Sequence, residues 1–184
     1  MNVLNNEIEI FKSEIHNIYK AYRFSHFGLY NLRSLFNDYK KKNNIENFRI
    51  VDQECDIEIK FSDLDMEEAK EHGFYQMIMA GNTIVMIYNL WEDNYRTIFA
   101  QSLGYTNKTD LKNNLFGDLG KIRNAIVHNH YKRTSDIDKL EILGFLFQND
   151  RFILDSFAVH DIYINVLKAL ELMKQPSANE NNNL

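Results

Sequence analysis

Proline is nearly absent from this sequence, and no other feature limits the possible folds so strongly. The single proline, Pro176, lies near the C-terminal end of the 184 residues. Because proline inside a helix removes a hydrogen bond and clashes with the preceding turn, the rest of the chain can form long, uninterrupted helices. Together with a hydrophobic content of 45%, this composition predicts an all-α globular protein with a sizeable core.

Apolar residues recur at helical spacing along most of the chain. They predict helices over about Glu7 to Phe24, Gly28 to Lys42, Asp65 to Ser102, from Thr109 or Asp110 onward, and Ser156 to Met173. We expect the first two helices to join near Ser25. We also expect Gly73 and Gly81 to mark a break or a close approach between helices. The pattern therefore predicts a helical bundle.

Two segments alternate apolar and polar residues, which is the period of a β-strand. The first contains Phe48–Val51 and Asp56–Phe61. The second contains Leu140–Phe147 and Arg151–Leu154, separated by Asn149-Asp150. These segments predict one or two short β-hairpins attached to the bundle.

No linker or internal repeat divides the sequence, so we expect one domain over residues 1–175 and a disordered, asparagine-rich tail over residues 176–184. Cys55 is the only cysteine, which excludes an intrachain disulfide and a cysteine-based zinc cluster and suits a reducing compartment. The sequence contains neither a run of about 18 apolar residues nor an N-terminal basic segment followed by an apolar one. These features predict a cytoplasmic protein with no membrane segment.

The charges are unevenly distributed along the chain. The net charge is −5, but the segment from Leu119 to Arg133 carries four basic residues and no acidic one, which leaves −9 for the remainder. The overall charge argues against a broad basic surface for nucleic acid. We therefore expect any anionic partner to bind at this one segment.

The same segment contains the one local arrangement with plausible chemistry, formed by Arg123, Asn124 and His128. A guanidinium can hold a phosphate, an amide can orient it, and an imidazole can transfer a proton at neutral pH. These groups suffice to cleave an RNA phosphodiester without a metal or another cofactor. No metal site is evident in the sequence.

Helical geometry places the residues of this motif unequally. Asn124, His128 and Tyr131 share one face, whereas Arg123 lies about 140° from His128 around the axis. The two meet if the arginine side chain bends round, if the helix ends near His128, or if a second protomer supplies one of them, and we favour the last. The opposite face, which we expect to contact the core, consists of Leu115, Leu119, Ile122 and Ile126.

Simpler interpretations of these residues stay open. Basic residues are favoured at a helix C-terminus by its dipole, so the motif also fits a solvated helix end. Glu92 and Arg96 are spaced for an intrahelical ion pair, with the alternative that they line a cleft and orient Arg123. Trp91 is expected in the core. The remaining histidines are expected to be ordinary surface or packed residues: His16, His26, His72 and His160.

The motif resembles that of the HEPN superfamily (higher eukaryotes and prokaryotes nucleotide-binding). Ribonucleases of this family carry an arginine and a histidine separated by four to six residues, commonly with asparagine directly after the arginine. Arg123, Asn124 and His128 match this pattern. The segment Tyr88–Arg96 is also similar to stand-alone bacterial members, so the resemblance extends over about Met66 to Arg133.

The resemblance implies an all-α HEPN-like bundle and a metal-independent endoribonuclease. Its active site is shared across a homodimer, and its context is a toxin–antitoxin, phage-defence or abortive-infection system with an antitoxin or defence-system protein as partner. Attack by the 2′-OH would leave a 2′,3′-cyclic phosphate. The alternative is a non-catalytic HEPN-like module that binds RNA, a nucleotide or a protein partner.

Residues around the motif receive accessory roles. His130 also fits the family spacing, with six residues between it and Arg123, and is the alternative to His128 as the catalytic histidine. One toxin subgroup carries a tyrosine two residues after the histidine, but here Tyr131 comes three residues after it, so modification of this tyrosine is not expected. Glu92 is a further accessory residue. Contacts with flanking phosphates are expected from Lys121, Lys132 and Arg133.

Overall fold

The computed structural model describes residues 3–44, 48–144, 146–148 and 150–174. The helices are α1 (Val3–Asn43), α2 (Asp63–Glu68), α3 (Phe74–Asn89), α4 (Arg96–Ser102), α5 (Asn114–Asn129) and α6 (Ser156–Met173). The strands are β1 (Phe48–Asp52), β2 (Ile57–Phe61), β3 (Leu146–Gln148) and β4 (Arg151–Ile153). Helices make up most of these residues, so the predicted all-α character is confirmed. The tail over residues 176–184 lies outside the described residues.

The first helix is continuous, whereas the sequence predicts two helices joined near Ser25. The hydroxyl of Ser25 donates to the carbonyl of Ala21 at 2.9 Å, a bond that a helix interior accommodates. Gly28 has open space on the side where a Cβ would lie. Neither residue therefore interrupts α1. Its buried residues lie mainly in the N-terminal half: Leu4, Ile8, Phe11, Ile15 and Tyr22, with Phe36 further along.

The helix predicted over Asp65 to Ser102 is divided. Ser62 caps α2, and Asp65 completes the capping box from the third helical position. The chain turns after Glu68, and a Cβ on Gly73 would lie 2.4 Å from the carbonyl oxygen of Glu68. Because only glycine fits there, the break predicted at Gly73 is confirmed.

The core lies between α1, α3, α5 and α6, which contact one another. A π-helical turn, Leu90–Tyr95, joins α3 to α4 and carries Trp91 into this core. Trp91 is 2% exposed and stacks on Phe116 of α5 with ring centroids 3.9 Å apart. Its predicted core position is confirmed, and the packing fixes α5 with one face inward and the other in solvent.

Both predicted hairpins are present as antiparallel pairs, β1 with β2 and β3 with β4. The second begins at Leu146 rather than Leu140, because residues 140–144 form a loop that follows a short 3₁₀ turn, Ile137–Lys139. Within the described ranges, no helix combines the length and the apolar composition that crossing a membrane requires.

Candidate active site

The motif lies on α5, whose start is fixed by a specific cap. Thr109 and Asp110, where the sequence predicts this start, belong to a 3₁₀ turn, Lys108–Asp110. The helix begins after Asn113, whose side chain accepts a hydrogen bond from the backbone N–H of Phe116 at 3.3 Å. The predicted inward face is confirmed, since each of its members is buried: Leu115, Leu119, Ile122 and Ile126.

Arg123, Asn124 and His128 lie in hydrogen-bond contact within a single chain. Nη1 of Arg123 donates to Oδ1 of Asn124 at 3.1 Å and lies 2.9 Å from Nε2 of His128. The long arginine side chain bends round the helix and covers the angle between the two positions. A second protomer, which we favoured for this purpose, is therefore not required to bring Arg123 and His128 together.

This contact defines the protonation of His128. A guanidinium only donates hydrogen bonds, so Nε2 of His128 accepts and the ring proton lies on Nδ1. The imidazole is thus neutral in this arrangement, and its lone pair is directed at Arg123. An anion that draws the guanidinium towards itself would free Nε2 to accept a proton.

Arg123 is half-buried and retains donor capacity. Its Nε is buried and has no hydrogen-bond partner in the part of the chain that the structure describes. The exposed side chains of Asn124 and His128 lie on the solvent side of this guanidinium. Because Nε is closed to solvent, an oxyanion would bind at the Nη end of the guanidinium, beside Asn124 and His128.

The helix ends directly after the motif. His130 and Tyr131 both have a left-handed backbone, with φ of 50° and 63°. The backbone N–H of Tyr131 donates to the carbonyl of Ala125 at 3.1 Å, which closes the last turn. His130 remains exposed at this end. The left-handed turn separates Tyr131 from the face that carries Asn124 and His128.

Tyr131 points into the protein instead of sharing that face, so its predicted position is wrong. A Cβ on Gly81 of α3 would lie 2.3 Å from the Tyr131 hydroxyl oxygen, which confirms Gly81 as a point of close approach. The ring of Tyr131 also lies 5.9 Å from that of Phe152 between centroids. Burial raises the pKa of Tyr131. Tyr131 therefore supports the helix end.

Two of the three basic residues expected to hold flanking phosphates are engaged in ion pairs. Nζ of Lys121 donates to Oδ1 of Asp118 at 3.1 Å and to a backbone carbonyl of the following loop. Nε of Arg133 donates to Oδ1 of Asp138 at 2.6 Å. Lys132 is exposed. Lys121 and Arg133 thus have structural partners in this arrangement, and Lys132 is the better placed for an anion.

Sequence reasoning missed Asp118, which is fully buried on the inward face of α5. Its oxygens accept backbone N–H groups of Glu141 at 2.9 Å, Ile142 at 2.7 Å and Leu143 at 3.1 Å. In the sequence, an aspartate three residues before a lysine is typical of a surface ion pair. The loop that buries it is distant in sequence and gives no local signal.

The predicted ion pair between Glu92 and Arg96 is confirmed, with Nη1 of Arg96 2.8 Å from Oε2 of Glu92. Lys108 adds a second contact to Glu92 at 3.0 Å. Partial burial alone would raise the pKa of Glu92, but the hydrogen bonds from Arg96 and Lys108 outweigh it, so the pKa is lowered. No hydrogen bond joins Glu92 or Arg96 to Arg123 in the described ranges.

A cavity of about 320 Å³ lies next to this ion pair and reaches α5. Tyr88 lines it and packs so closely on Gly120 that a Cβ there would lie 3.1 Å from the tyrosine ring. Burial raises the pKa of Tyr88 and Glu92 raises it further, whereas the positive charges of Arg96 and Arg123 act against both.

The remaining histidines are not isolated side chains. His16 of α1 lies 2.8 Å from the hydroxyl of Tyr163, and His160 of α6 lies 2.8 Å from the hydroxyl of Tyr19. These two contacts tie α1 to α6. His26 and His72 approach carboxylates, as described below. No family model, curated protein or solved structure matches this chain.

Proposed function

We propose that this protein is a metal-independent endoribonuclease of the HEPN type, with Arg123, Asn124 and His128 as catalytic residues. The observation that carries the proposal is the 2.9 Å contact between Nη1 of Arg123 and Nε2 of His128 on an exposed helix face. It places a phosphate-binding cation and a proton acceptor within reach of a single phosphodiester.

The proposed reaction uses these groups in a fixed order. Arg123 and Asn124 bind the non-bridging oxygens of the scissile phosphate, which releases Nε2 of His128. His128 accepts the proton of the adjacent 2′-OH, and O2′ attacks phosphorus as the bond to O5′ breaks. The products are a 2′,3′-cyclic phosphate and a 5′-hydroxyl. DNA is not cleaved, because it lacks the attacking hydroxyl.

The proposal includes a homodimer. The leaving O5′ needs a proton donor, and one imidazole does not act as base and acid in the same step. A second copy would bring a second His128 to the site, which in its protonated form donates a proton to the leaving O5′. Exposed apolar side chains that support such an interface lie on α5, which carries the motif, and on α3: Val127 and Met86.

The proposed biological context follows from the same resemblance. Ribonucleases of the family that the motif resembles typically belong to toxin–antitoxin, phage-defence or abortive-infection systems. We therefore place the protein in a toxin–antitoxin or anti-phage defence system, in the cytoplasm, with RNA as substrate and a restraining antitoxin or defence-system protein as partner.

Cleavage of single-stranded RNA in excess EDTA tests the proposed chemistry. We expect product ends with a 2′,3′-cyclic phosphate, and we expect no cleavage where the 2′-OH next to the scissile phosphate is replaced by hydrogen. A thermal denaturation curve in the same buffer verifies that the protein stays folded. Cleavage that requires magnesium and leaves 3′-hydroxyl ends would contradict the proposal.

A second candidate function is a non-catalytic module that binds RNA or a nucleotide. It is favoured by the cavity that reaches α5, because Tyr88 offers a ring for stacking and Lys112 adds a positive charge at its lining. Arg96 and Lys121 also line the cavity but are paired with carboxylates. Saturable nucleotide binding without any RNA cleavage would favour this candidate over the enzyme.

A further inference from the structure

A second group of histidines lies where three parts of the fold meet. His26 belongs to α1, Glu71 and His72 lie in the turn between α2 and α3, and Asp155 precedes α6. Nε2 of His72 lies 3.1 Å from Oδ2 of Asp155, and Nε2 of His26 lies 3.7 Å from Oε2 of Glu71. These four residues, called the His–carboxylate cluster below, are separated by up to 129 positions in the sequence.

Each carboxylate in the cluster uses one oxygen to hold the backbone. Oδ1 of Asp155 accepts the N–H of Ala158 at 2.8 Å and caps α6, and Oε1 of Glu71 accepts the N–H of Ser156 at 2.8 Å. The other oxygen of each carboxylate faces an imidazole. The two carboxylates are thus fixed by the fold while one oxygen of each stays available.

Gln76 determines which ring nitrogen of His26 carries a proton. The amide nitrogen of Gln76 donates to the carbonyl of Ala69, so its oxygen is the atom 2.9 Å from Nδ1 of His26. Nδ1 must therefore carry a proton, and Nε2 of the neutral ring presents a lone pair to the carboxylate. Two acceptors would then face each other, and either a second ring proton on Nε2 or a metal ion between the two atoms satisfies both.

The buried hydroxyl of Tyr22, near His26, is a further unusual feature of this region. The Tyr22 side chain is 3% exposed, and its hydroxyl is buried without a hydrogen-bond partner among the described residues. Its ring lies 6.0 Å from that of His26 between centroids. A buried hydroxyl next to the cluster is left without the partner that such groups normally have.

We propose that the His–carboxylate cluster binds a divalent transition-metal ion, with Zn²⁺ as the best match. Imidazole nitrogens and carboxylate oxygens are ligands of Zn²⁺, and four of them complete a tetrahedral site. The bond from Nδ1 of His26 to Gln76 is the outer contact that orients a metal-ligating histidine.

Three of the four proposed ligands require only a small contraction, whereas His26 lies outside that group and is 3.7 Å from Oε2 of Glu71. One ligand atom from each of Glu71, His72 and Asp155 lies within 4.8 Å of the other two. Ligands about 2.0–2.2 Å from Zn²⁺ in a tetrahedron lie roughly 3.5 Å apart. The side chains of Glu71 and His72 are 37% and 49% exposed and can move by this amount.

The bound ion would join α1, the turn between α2 and α3, and the start of α6. Because binding to the folded state alone stabilises it, Zn²⁺ is expected to raise the melting temperature. The proposed ribonuclease chemistry uses none of these residues, so the two proposals stand or fall separately.

Titration calorimetry and thermal melts with Zn²⁺ test the site. We expect the full-length protein, first stripped of metal, to bind one Zn²⁺ per chain. His72→Ala and His26→Ala should each weaken binding at least about tenfold and abolish the shift in melting temperature. The matched control is His16→Ala, which removes a histidine of α1 that pairs with Tyr163 instead.

Two further variants separate loss of the ion from loss of the fold. Glu71→Gln and Asp155→Asn keep a side-chain oxygen for the backbone N–H groups of Ser156 and Ala158, and they should still weaken Zn²⁺ binding. Absence of saturable Zn²⁺ binding in the unaltered protein would overturn the proposal. Equal affinity in the unaltered protein and in His72→Ala would overturn it as well.

Discussion

The inward and outward faces of α5 both carry polar residues, but these residues are bonded in different ways. On the inward face, Asp118 is fully buried, and its oxygens accept three backbone N–H groups and the ammonium of Lys121. On the outward face, Arg123, Asn124 and His128 bond to one another in solvent. The same helix thus joins a structural polar site to a candidate functional one.

The bonding partners of a polar group thus distinguish a structural site from a candidate functional site. A buried polar group whose hydrogen bonds go mainly to the backbone holds the fold, and its removal leaves donors unsatisfied. Exposed groups that bond mainly to one another hold nothing else in place. Changes on the inward face should therefore reduce stability, and changes on the outward face should reduce activity.

The largest effect on stability is expected for Asp118→Asn. The amide keeps one acceptor oxygen but presents an NH₂ group to backbone donors and leaves Lys121 without its partner. We expect the free energy of unfolding to fall by about 3 kcal/mol, measured by urea denaturation. The matched control is Asp138→Asn, which alters an exposed pair with Arg133 and should change stability by less than about 1 kcal/mol. Equal effects of both variants would break the comparison.

Two glycine-to-alanine variants should change stability by smaller amounts and in opposite directions. Gly81→Ala places a Cβ against the Tyr131 ring that supports the end of α5, so we expect a loss of about 1–3 kcal/mol. Gly117→Ala changes a glycine of α5 with open space around it, and better helix propensity should add about 0.5–1 kcal/mol. Thermal melts compare the two variants. Stabilisation by both would mean that Tyr131 does not hold the helix end.

The smallest effect on stability is expected on the outward face. Arg123→Ala, Asn124→Ala and His128→Ala remove exposed or half-buried groups whose hydrogen bonds are to one another. Each should change the free energy of unfolding by no more than about 0.5 kcal/mol in the same urea experiment. A loss comparable to that of Asp118→Asn would show that the motif is part of the fold.

Much of the secondary structure could be predicted from the sequence, because periodicity is a local property. The alternating segments form hairpins, and the inward stripe of α5 is buried from Leu115 to Ile126. Helix ends were predicted less well. Ser25 and Gly28 are compatible with a continuous helix, and only the packing of α1 on distant elements decides that they stay helical.

The candidate sites depend even more on contacts that a local sequence pattern does not contain. The motif could be found in the sequence because its residues are close together: Arg123, Asn124 and His128. Its geometry could not, because the helical angle gives the direction of each Cβ and not the position where the long Arg123 side chain ends. The burial of Asp118 and the approach of His72 to Asp155 depend on contacts between distant segments. No local pattern contains that information.

Cleavage of single-stranded RNA by His128→Ala and His130→Ala is the most direct test of the outward face as an active site. The two histidines are exposed and two residues apart, but only His128 contacts Arg123. We expect His128→Ala to reduce cleavage at least about 100-fold and His130→Ala to retain measurable activity, with both variants folded. Full activity in both variants would contradict the assignment of an active site to this face. Normal cleavage by His128→Ala together with no cleavage by His130→Ala would assign the proton transfer to His130.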